Sequence, residues 1–217
     1  MPRFFLFLFL LLLSEIAIAQ KGVFSRNDLQ VKTSPLAFFE PETIVVQGGL
    51  EYFWSEKIST QAEIGINGGI LGIPAGRNRQ ENFEFFRSRN ELKFHLKKFY
   101  LASELFGVWK NFEMLDDGYY DSQQGIAYER AAIDFRVLGG NIKIGQQKFT
   151  SKNIVIDRYI GFGFRERTNS VLVLEGESVG FESSAWTGGR YRTLGQSLLP
   201  NLTVGIKIGI MTNKKYR

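Results

Sequence analysis

The sequence predicts an all-β fold: an eight-stranded antiparallel up-and-down transmembrane β-barrel behind a cleaved signal peptide. Three observations lead there. First, Ile58–Asn67 alternates strictly, with Ile58, Thr60, Ala62, Ile64 and Ile66 on one face and Ser59, Gln61, Glu63, Gly65 and Asn67 on the other. A strand with one apolar face and one polar, glycine-bearing face suits a closed sheet with lipid outside and a polar bore. Second, short and long links between such segments alternate, as expected when the two ends of a barrel face different compartments. Third, the chain holds 23 Gly, 20 Phe, 8 Tyr and 3 Trp but only 5 Pro. Small inward residues and aromatic girdles both belong to that architecture.

The segments follow in order. Arg3 precedes an unbroken apolar run, residues 4–13, which leads to Ala17-Ile18-Ala19. Basic start, apolar centre and small-x-small site define a signal peptide over 1–19, cut before Gln20. The run is shorter than the roughly 20 residues that a spanning helix needs. Residues 20–217 are then one barrel domain. Its predicted strands are 28–39, 43–54, 58–69, 83–96, 99–112, 128–147, 154–167 and 199–211. Most approach the roughly 9–11 residues of a tilted membrane-crossing strand. The turns 55–57, 97–98 and 148–153 are short, whereas 70–82, 113–127 and 168–197 are long and face outward. The link 40–42 is the exception to that alternation.

Hairpin register tests the pattern. A turn centred on Glu56 sets Tyr52 opposite Thr60 and Leu50 opposite Ala62, so the apolar faces of two neighbours agree. A turn at Lys97-Lys98 sends Leu92, Phe94, Leu96, Phe99, Leu101 and Leu105 outward. A one-residue slip there would place the inward charges in lipid, at up to roughly 2–4 kcal/mol per basic residue. Strand 154–167 sends Ile156, Ile160, Phe162 and Phe164 out, with Arg158 snorkelling from the membrane edge. Strand 199–211 sends Leu202, Val204, Ile206, Ile208 and Ile210 out. The strand 128–147 changes phase across Leu138-Gly139-Gly140, which predicts a bulge. Pro35 interrupts the first strand and belongs at a bulge or an end.

The inward positions hold the most distinctive chemistry. Glu51, Glu63, Arg87, Arg89, Glu91, Lys93, Glu104, Asp134, Arg136, Lys143, Asp157, Arg165 and Lys207 are expected to meet as an ion-pair network in the bore. Register sets Glu91 opposite Glu104, and adjacent carboxylates need bridging cations; Arg89, Lys93 and Lys207 are placed to bridge. An eight-stranded barrel is just wide enough to be filled by its side chains, so the network reads as structural filling rather than catalysis. Lys143 and Asp157 either pair across the last short turn or are solvated separately near the rim. The single histidine, His95, sits at a turn end, partly solvated.

Cysteine does not occur, which removes disulfides, thiolate metal sites and a thiol nucleophile. Gly161-x-Gly163 sits inside a strand and lacks the third glycine of a nucleotide loop. No cofactor, metal or catalytic residue is expected. The net charge of +5 is spread singly along the strands, so no nucleic-acid partner is expected either.

Several segments resemble an uncharacterised outer-membrane β-barrel family of Gram-negative bacteria. They are Val31-Lys32-Thr33-Ser34-Pro35-Leu36, Gly49-Leu50-Glu51-Tyr52, Tyr100-Leu101-Ala102-Ser103-Glu104-Leu105-Phe106, Ile142-Lys143-Ile144-Gly145 and Tyr159-Ile160-Gly161-Phe162-Gly163-Phe164-Arg165. The resemblance implies a small OmpA-type or OmpX-type barrel, porin-like in build, with no settled activity. It departs from such barrels in ending Lys215-Tyr216-Arg217 rather than on an aromatic residue.

The functional expectation is a structural, surface-interaction or adhesion-type protein of the bacterial outer membrane. Its partners are outer-membrane lipid and an extracellular or envelope protein, met through outward loops. Tyr119, Tyr120, Trp186 and Tyr191 are the loop contact candidates, since aromatics dominate interfaces. Two other readings remain open: a narrow pore or transporter for small solutes, and a soluble periplasmic ligand-binding barrel with polar exterior and apolar interior.

Overall fold

The computed structural model describes residues 24–39, 45–68, 79–96, 98–121, 124–150, 153–180 and 191–212. The proposed signal peptide and Trp186 lie outside them. The chain is all-β and antiparallel, with no α-helix among the described residues. Its strands are β1 (Leu29–Thr33), β2 (Val45–Phe53), β3 (Ile58–Asn67), β4 (Gln80–His95), β5 (Tyr100–Asp121), β6 (Gln124–Phe149), β7 (Ile154–Glu175), β8 (Ser178–Val179) and β9 (Gly195–Met211). Each long strand pairs with its chain neighbour, and β1 pairs with β9, so eight strands form a ring. The two-residue β8 lies outside the ring and pairs with β6 at Ile126 and Ala127.

Closure has a definite stagger. Following partners from Val31 round the ring passes Leu50, Ala62, Asn90, Leu105, Gly140 and Phe164 and arrives at Pro200. Val31 itself pairs with Ile210. A stagger of ten residues, from Pro200 to Ile210, tilts eight strands by about 40°.

The hairpin registers agree with the sequence expectation at every pair it named: Tyr52 faces Thr60, Leu50 faces Ala62, and Glu91 faces Glu104. Burial shows which face turned inward. Leu105 is 68% exposed, Ile142 65% and Leu202 73%, whereas Lys93 and Lys207 are fully buried. From Phe99, just before β5, to Trp109 the apolar exterior covers about 25 Å along the ring axis at a rise of about 3.3 Å and that tilt. Trp54 and Phe99 mark one edge of this belt; Phe86 and Trp109, with ring centroids 5.6 Å apart, mark the other.

Beyond the belt the molecule differs from the expectation. The link 113–127 is largely strand, and the described part of 168–197 continues as strand to Glu175, because β5, β6 and β7 run on past the belt. From Trp109 to Asp121, β5 climbs about 30 Å more at the same rise and tilt. The bulge expected at Leu138-Gly139-Gly140 does not form: Phe106, Gly107 and Val108 pair in unbroken register with Gly139, Leu138 and Val137. What changes there is polarity. Leu138 points out and is exposed, but the next outward positions are Arg136 and Asp134. The inward positions become Val137, Phe135, Ile133 and Ala131, which join Phe112, Tyr119 and Tyr128 in an apolar cluster. On β6 and the facing part of β5 the projecting sheet follows the ordinary water-facing rule, apolar in and polar out, while the belt follows its inverse; on β7 Leu172 and Leu174 stay exposed on the outer wall. A pattern that inverts without a register shift reads, in sequence, as a change of phase.

Irregular geometry sits above the belt. The ladder between β4 and β5 slips between Glu81 and Glu84, where Asn82 takes a φ of 50°. On β1, Pro35 ends the strand and starts a 3-10 turn, Pro35–Phe39, since it has no N–H for a ladder.

Inward glycines make room for long neighbours. A Cβ on Gly161 would lie 2.6 Å from Lys143 Cγ, 2.8 Å from the Ile142 carbonyl oxygen and 3.0 Å from Thr203 Cγ2. Gly161→Val is expected to cost about 1–3 kcal/mol by overpacking. Equilibrium urea unfolding checks this; an unchanged midpoint would mean that Lys143 does not occupy that space.

Candidate functional site

The interior is arranged in storeys. At the short-turn end Phe24, Phe53, Phe149, Val155 and Met211 form an apolar plug, with Phe24 and Phe53 stacked at 4.3 Å. His95 sits against it, 5.3 Å from the Phe53 ring centroid, with Nε2 2.7 Å from Ser59 Oγ. Ser59 Oγ donates in turn to Glu51 at 2.6 Å. The histidine is at the expected turn end, but its side chain is only 8% exposed.

Above the plug lies a layer of buried charge. Lys32 Nζ is 2.6 Å from Asp157 Oδ2 and also pairs with Glu51. Lys93 Nζ is 3.0 Å from the same Asp157 oxygen, 3.2 Å from Glu51 Oε2 and 3.5 Å from Glu91 Oε2. The Tyr100 hydroxyl donates to Asp157 Oδ1 at 2.7 Å, and the Gln147 amide donates to Glu51 at 2.9 Å. One step higher, Lys207 Nζ lies 2.7 Å from both Glu63 and Glu91. Lys143 Nζ lies 2.8 Å from Glu91 and also pairs with Glu104. Asn141 donates to Glu104 at 2.7 Å, and Gln47 and Gln61 donate to Glu63. Lys143 and Lys207 lie 4.2 and 5.0 Å from the Tyr159 ring centroid.

Lys32, Lys93, Lys143 and Lys207 thus share the interior with Glu51, Glu63, Glu91, Glu104 and Asp157, all buried. Near-balance is what makes such burial tolerable, since an isolated charge would be far more costly. The pairs also cross the ring. Lys32 on β1 joins β2 and β7, and Lys93 on β4 reaches β7. The layer offers lysines neutralised by carboxylates, and these pairs hold strands of the ring together.

The network differs in detail from its sequence reading. Lys143 bridges the facing Glu91 and Glu104, assisted by Lys207 and Lys93 at Glu91; Arg89 instead reaches the Tyr159 hydroxyl at 3.4 Å. Lys143 and Asp157 neither pair across the turn nor sit solvated at the rim: each is buried with other partners, because Asp157 faces Lys207 and Gln147 in register while Lys143 faces Gly161. Arg87 is buried, with Nη1 3.5 Å from Gln47 Oε1, and Arg89 and Arg165 line a cavity above the layer. Asp134 and Arg136 are not in the bore. They form an exposed pair at 2.7 Å on the outer wall above the belt, where polarity has inverted. Gln61 and Tyr159 face inward as the alternation predicts, whereas Lys32 and Tyr100 belong to the interior although the sequence reading left them out. The alternation Gln30-x-Lys32-x-Ser34 was the available signal for Lys32, masked by Pro35.

Among the loop candidates, Tyr119 is buried 6.3 Å from the Tyr128 ring centroid. Tyr191 packs edge-on against Phe112 and Phe135 at 4.9 Å, its backbone carbonyl accepting from Asn169 Nδ2 at 2.5 Å. Tyr120 is half-buried on the projecting sheet, its N–H donating to the Arg192 carbonyl at 2.8 Å. These aromatics build the mouth of the ring.

No family model, curated protein or solved structure matches the chain.

Two outcomes follow from this geometry. Lys143→Met leaves Glu91 and Glu104 facing each other and is expected to cost about 3–5 kcal/mol. Adding Glu104→Gln should recover part of that, with a coupling of at least about 1 kcal/mol in a double-mutant cycle of urea unfolding. Additive losses would mean that Lys143 does not bridge. Beyond the belt, Asn82 donates to Glu113 at 2.8 Å and Arg130 Nε at 2.6 Å, and these bonds hold its carboxyl below the usual value. A depressed folded value stabilises above the unfolded value, near 4.5, and the stabilisation is lost as pH falls through the folded one. Protection of β5 and β6 amides around Glu113 should therefore drop between pH 6 and pH 3, relative to belt amides. Glu113→Gln should flatten that difference.

Proposed function

We propose that the ring is an outer-membrane β-barrel, exported behind a cleaved signal peptide over 1–19. It anchors a projecting sheet that meets an envelope or extracellular partner, and it carries out no catalysis. One observation carries this reading: over a height of about 25 Å the exterior is dominated by leucine, isoleucine, valine and phenylalanine, interrupted by Asn90, Ser103 and Arg158, while lysines and carboxylates are buried inside. No water-soluble protein gains by that arrangement, whereas a bilayer core of about 30 Å does. The aromatic edges of the belt fit two lipid–water interfaces. Arg158, outward but near the lower edge, can snorkel to headgroups. The segments that resemble an outer-membrane barrel family accord with the same assignment.

The other two readings draw less support. A pore needs water past the charge layer, but Lys32, Glu51, Lys93 and Asp157 have no exposed side-chain surface and an apolar plug lies beneath them. A soluble ligand-binding barrel calls for the opposite polarity of wall and bore. The projecting ends of β5, β6 and β7 are the part available to a partner.

The test is refolding into phosphatidylcholine vesicles. The native chain should insert, show heat-modifiable gel migration and give no steady conductance in planar bilayers. Leu105→Arg, near the middle of the belt, should cost about 2–4 kcal/mol. Ser170→Arg, on the outer wall above it, should change stability by less than about 0.5 kcal/mol. Equal effects of the two, or a chain that stays folded and monodisperse in plain buffer, would overturn the assignment.

A further inference from the structure

Above the belt the ring opens into a sheet with two edges, and the two differ. The last pair between β7 and β9 is Asn169 with Gly195. From Ser170 to Glu175, β7 keeps β6 on one side. On its other side no strand among the described residues pairs with it. The cause is local. Gly195 takes a φ of 84°, which turns the preceding chain off the ladder. Residues 191–194 cross the mouth instead. The Tyr120 N–H donates to the Arg192 carbonyl at 2.8 Å, and Asn169 Nδ2 donates to the Thr193 carbonyl at 3.0 Å.

The other edge is the upper end of β4, which from Gln80 to Phe85 lies beyond its last pair with β3. That edge is blunted. Its ladder to β5 slips between Glu81 and Glu84, and Arg79 and Asn82 take positive φ. Bulges and charged side chains are the usual guards against a foreign strand. The β7 edge has neither over Ser170-Val171-Leu172-Val173, a run without charge or proline and rich in β-formers. Its first irregularity is Leu174, the extra residue where the register with β6 shifts. Val171 and Val173 pack inward against the apolar cluster, while Leu172 is 66% exposed on the outer wall. An added strand would meet apolar side chains on both faces. Above the run the exposed carboxylates of Glu175 and Glu177 are joined by Glu129, beside Gly176. Arg130 is shared there between Glu113 and Glu175.

Resting on the reading that the projecting sheet meets a partner, we propose that this partner adds a strand to the β7 edge at Ser170–Val173. The occupant is an extended apolar segment of another polypeptide, preceded by lysine or arginine and antiparallel to β7. Backbone groups along an edge are matched by another backbone, so the ligand is a peptide. Running in the direction of β9, it sets its basic N-terminal end beside Glu175 and Glu177 and its apolar residues beside Val171, Leu172 and Val173. A second copy of this chain fits less well. Two barrels in one membrane point the same way, so their β7 edges run parallel and bring like charges together.

The test uses the full mature chain refolded in maltoside micelles. The probe is a dye-labelled peptide of two lysines followed by alternating valine and threonine. Its anisotropy should saturate, and the bound peptide should slow exchange of edge-facing amides within 170–173 at least tenfold, leaving 80–83 unchanged. Leu172→Lys, on the exposed wall, should weaken binding at least tenfold, and Glu175→Lys/Glu177→Lys at least threefold, whereas Glu81→Lys should not alter it. Should Leu172→Lys not refold, a proline in the middle of the peptide must abolish binding to the native chain. No saturation up to millimolar peptide, or binding indifferent to both Leu172→Lys and the peptide proline, overturns the proposal. So do amides at 170–173 that all exchange as slowly as belt amides before peptide is added, since the chain would then cover its own edge. A dimer that Leu172→Lys disperses gives the edge to a second copy and overturns it too. Binding is read in micelles and insertion in vesicles, so failure of either leaves the other result standing.

Discussion

Lysine ammoniums shared between carboxylates from opposite sides of the ring are the interaction on which the rest of the structure depends. Lys32 and Lys93 both hold Asp157, so β1 and β4 are tied to β7 across the bore. Lys143 and Lys207 both hold Glu91, which ties β6 and β9 to β4. Strands β1, β4, β6, β7 and β9 are thereby fixed in height against strands that are not their neighbours, and the Tyr100 hydroxyl ties β5 to Asp157 on β7 in the same way. Ladder hydrogen bonds alone would not do this, since a ladder can slip by two residues and keep both its bonds and its faces. The ionic layer penalises that slip, because each buried charge would meet the wrong partner and stand uncompensated.

The same constraint explains why the two halves of the long strands obey opposite rules. In the belt, the inside must be polar and nearly balanced because the outside is apolar. Past Trp109 and Leu138 the outer wall carries Arg136 and Asp134, and the inner face can become Phe112, Phe135 and Ile133. The pleat never changes phase across that boundary; only the surroundings do. The cavity above the charge layer lies just below this boundary, where the balanced layer has ended and the apolar cluster begins. Its lining mixes Arg165 and Arg167 with Phe106 and Val137 for that reason.

Much of this was legible in the sequence. Ile58–Asn67, the 83–96 and 99–112 pair, and 199–211 each alternate with long apolar residues on one parity, and two of their turns are too short to permit another register. Those features set the pairings and placed Glu63, Glu91, Lys93, Glu104 and Lys207 inside, and the patterns of 43–54, 128–147 and 154–167 did the same for Glu51, Lys143 and Asp157. Asp134 and Arg136 were misplaced because a single rule, charge inward, was carried past the height at which it holds. Lys32 was missed because Pro35 breaks the pattern after one short strand, leaving too few alternations to read. Lys143 as the bridge between Glu91 and Glu104 was out of reach for another reason. The stagger that brings β6 to that height is set by closure of the whole ring, and no local window of residues contains it.

Buried ion pairs seldom stabilise a fold more than well-packed apolar side chains of the same volume would. In a soluble protein that makes the charge layer a poor choice. In a closed sheet with an apolar exterior the comparison changes. Were Lys32, Lys93, Glu51 and Asp157 replaced by leucine-like side chains, both faces of each strand would be apolar, and a one-residue slip would exchange one apolar face for another at little cost. The alternation that specifies inside and outside would be erased, and with it the register. Charge in the bore therefore does for this ring what an apolar core does for a sandwich: it makes one face unlike the other. The layer works only if its charges are near balance and fully partnered.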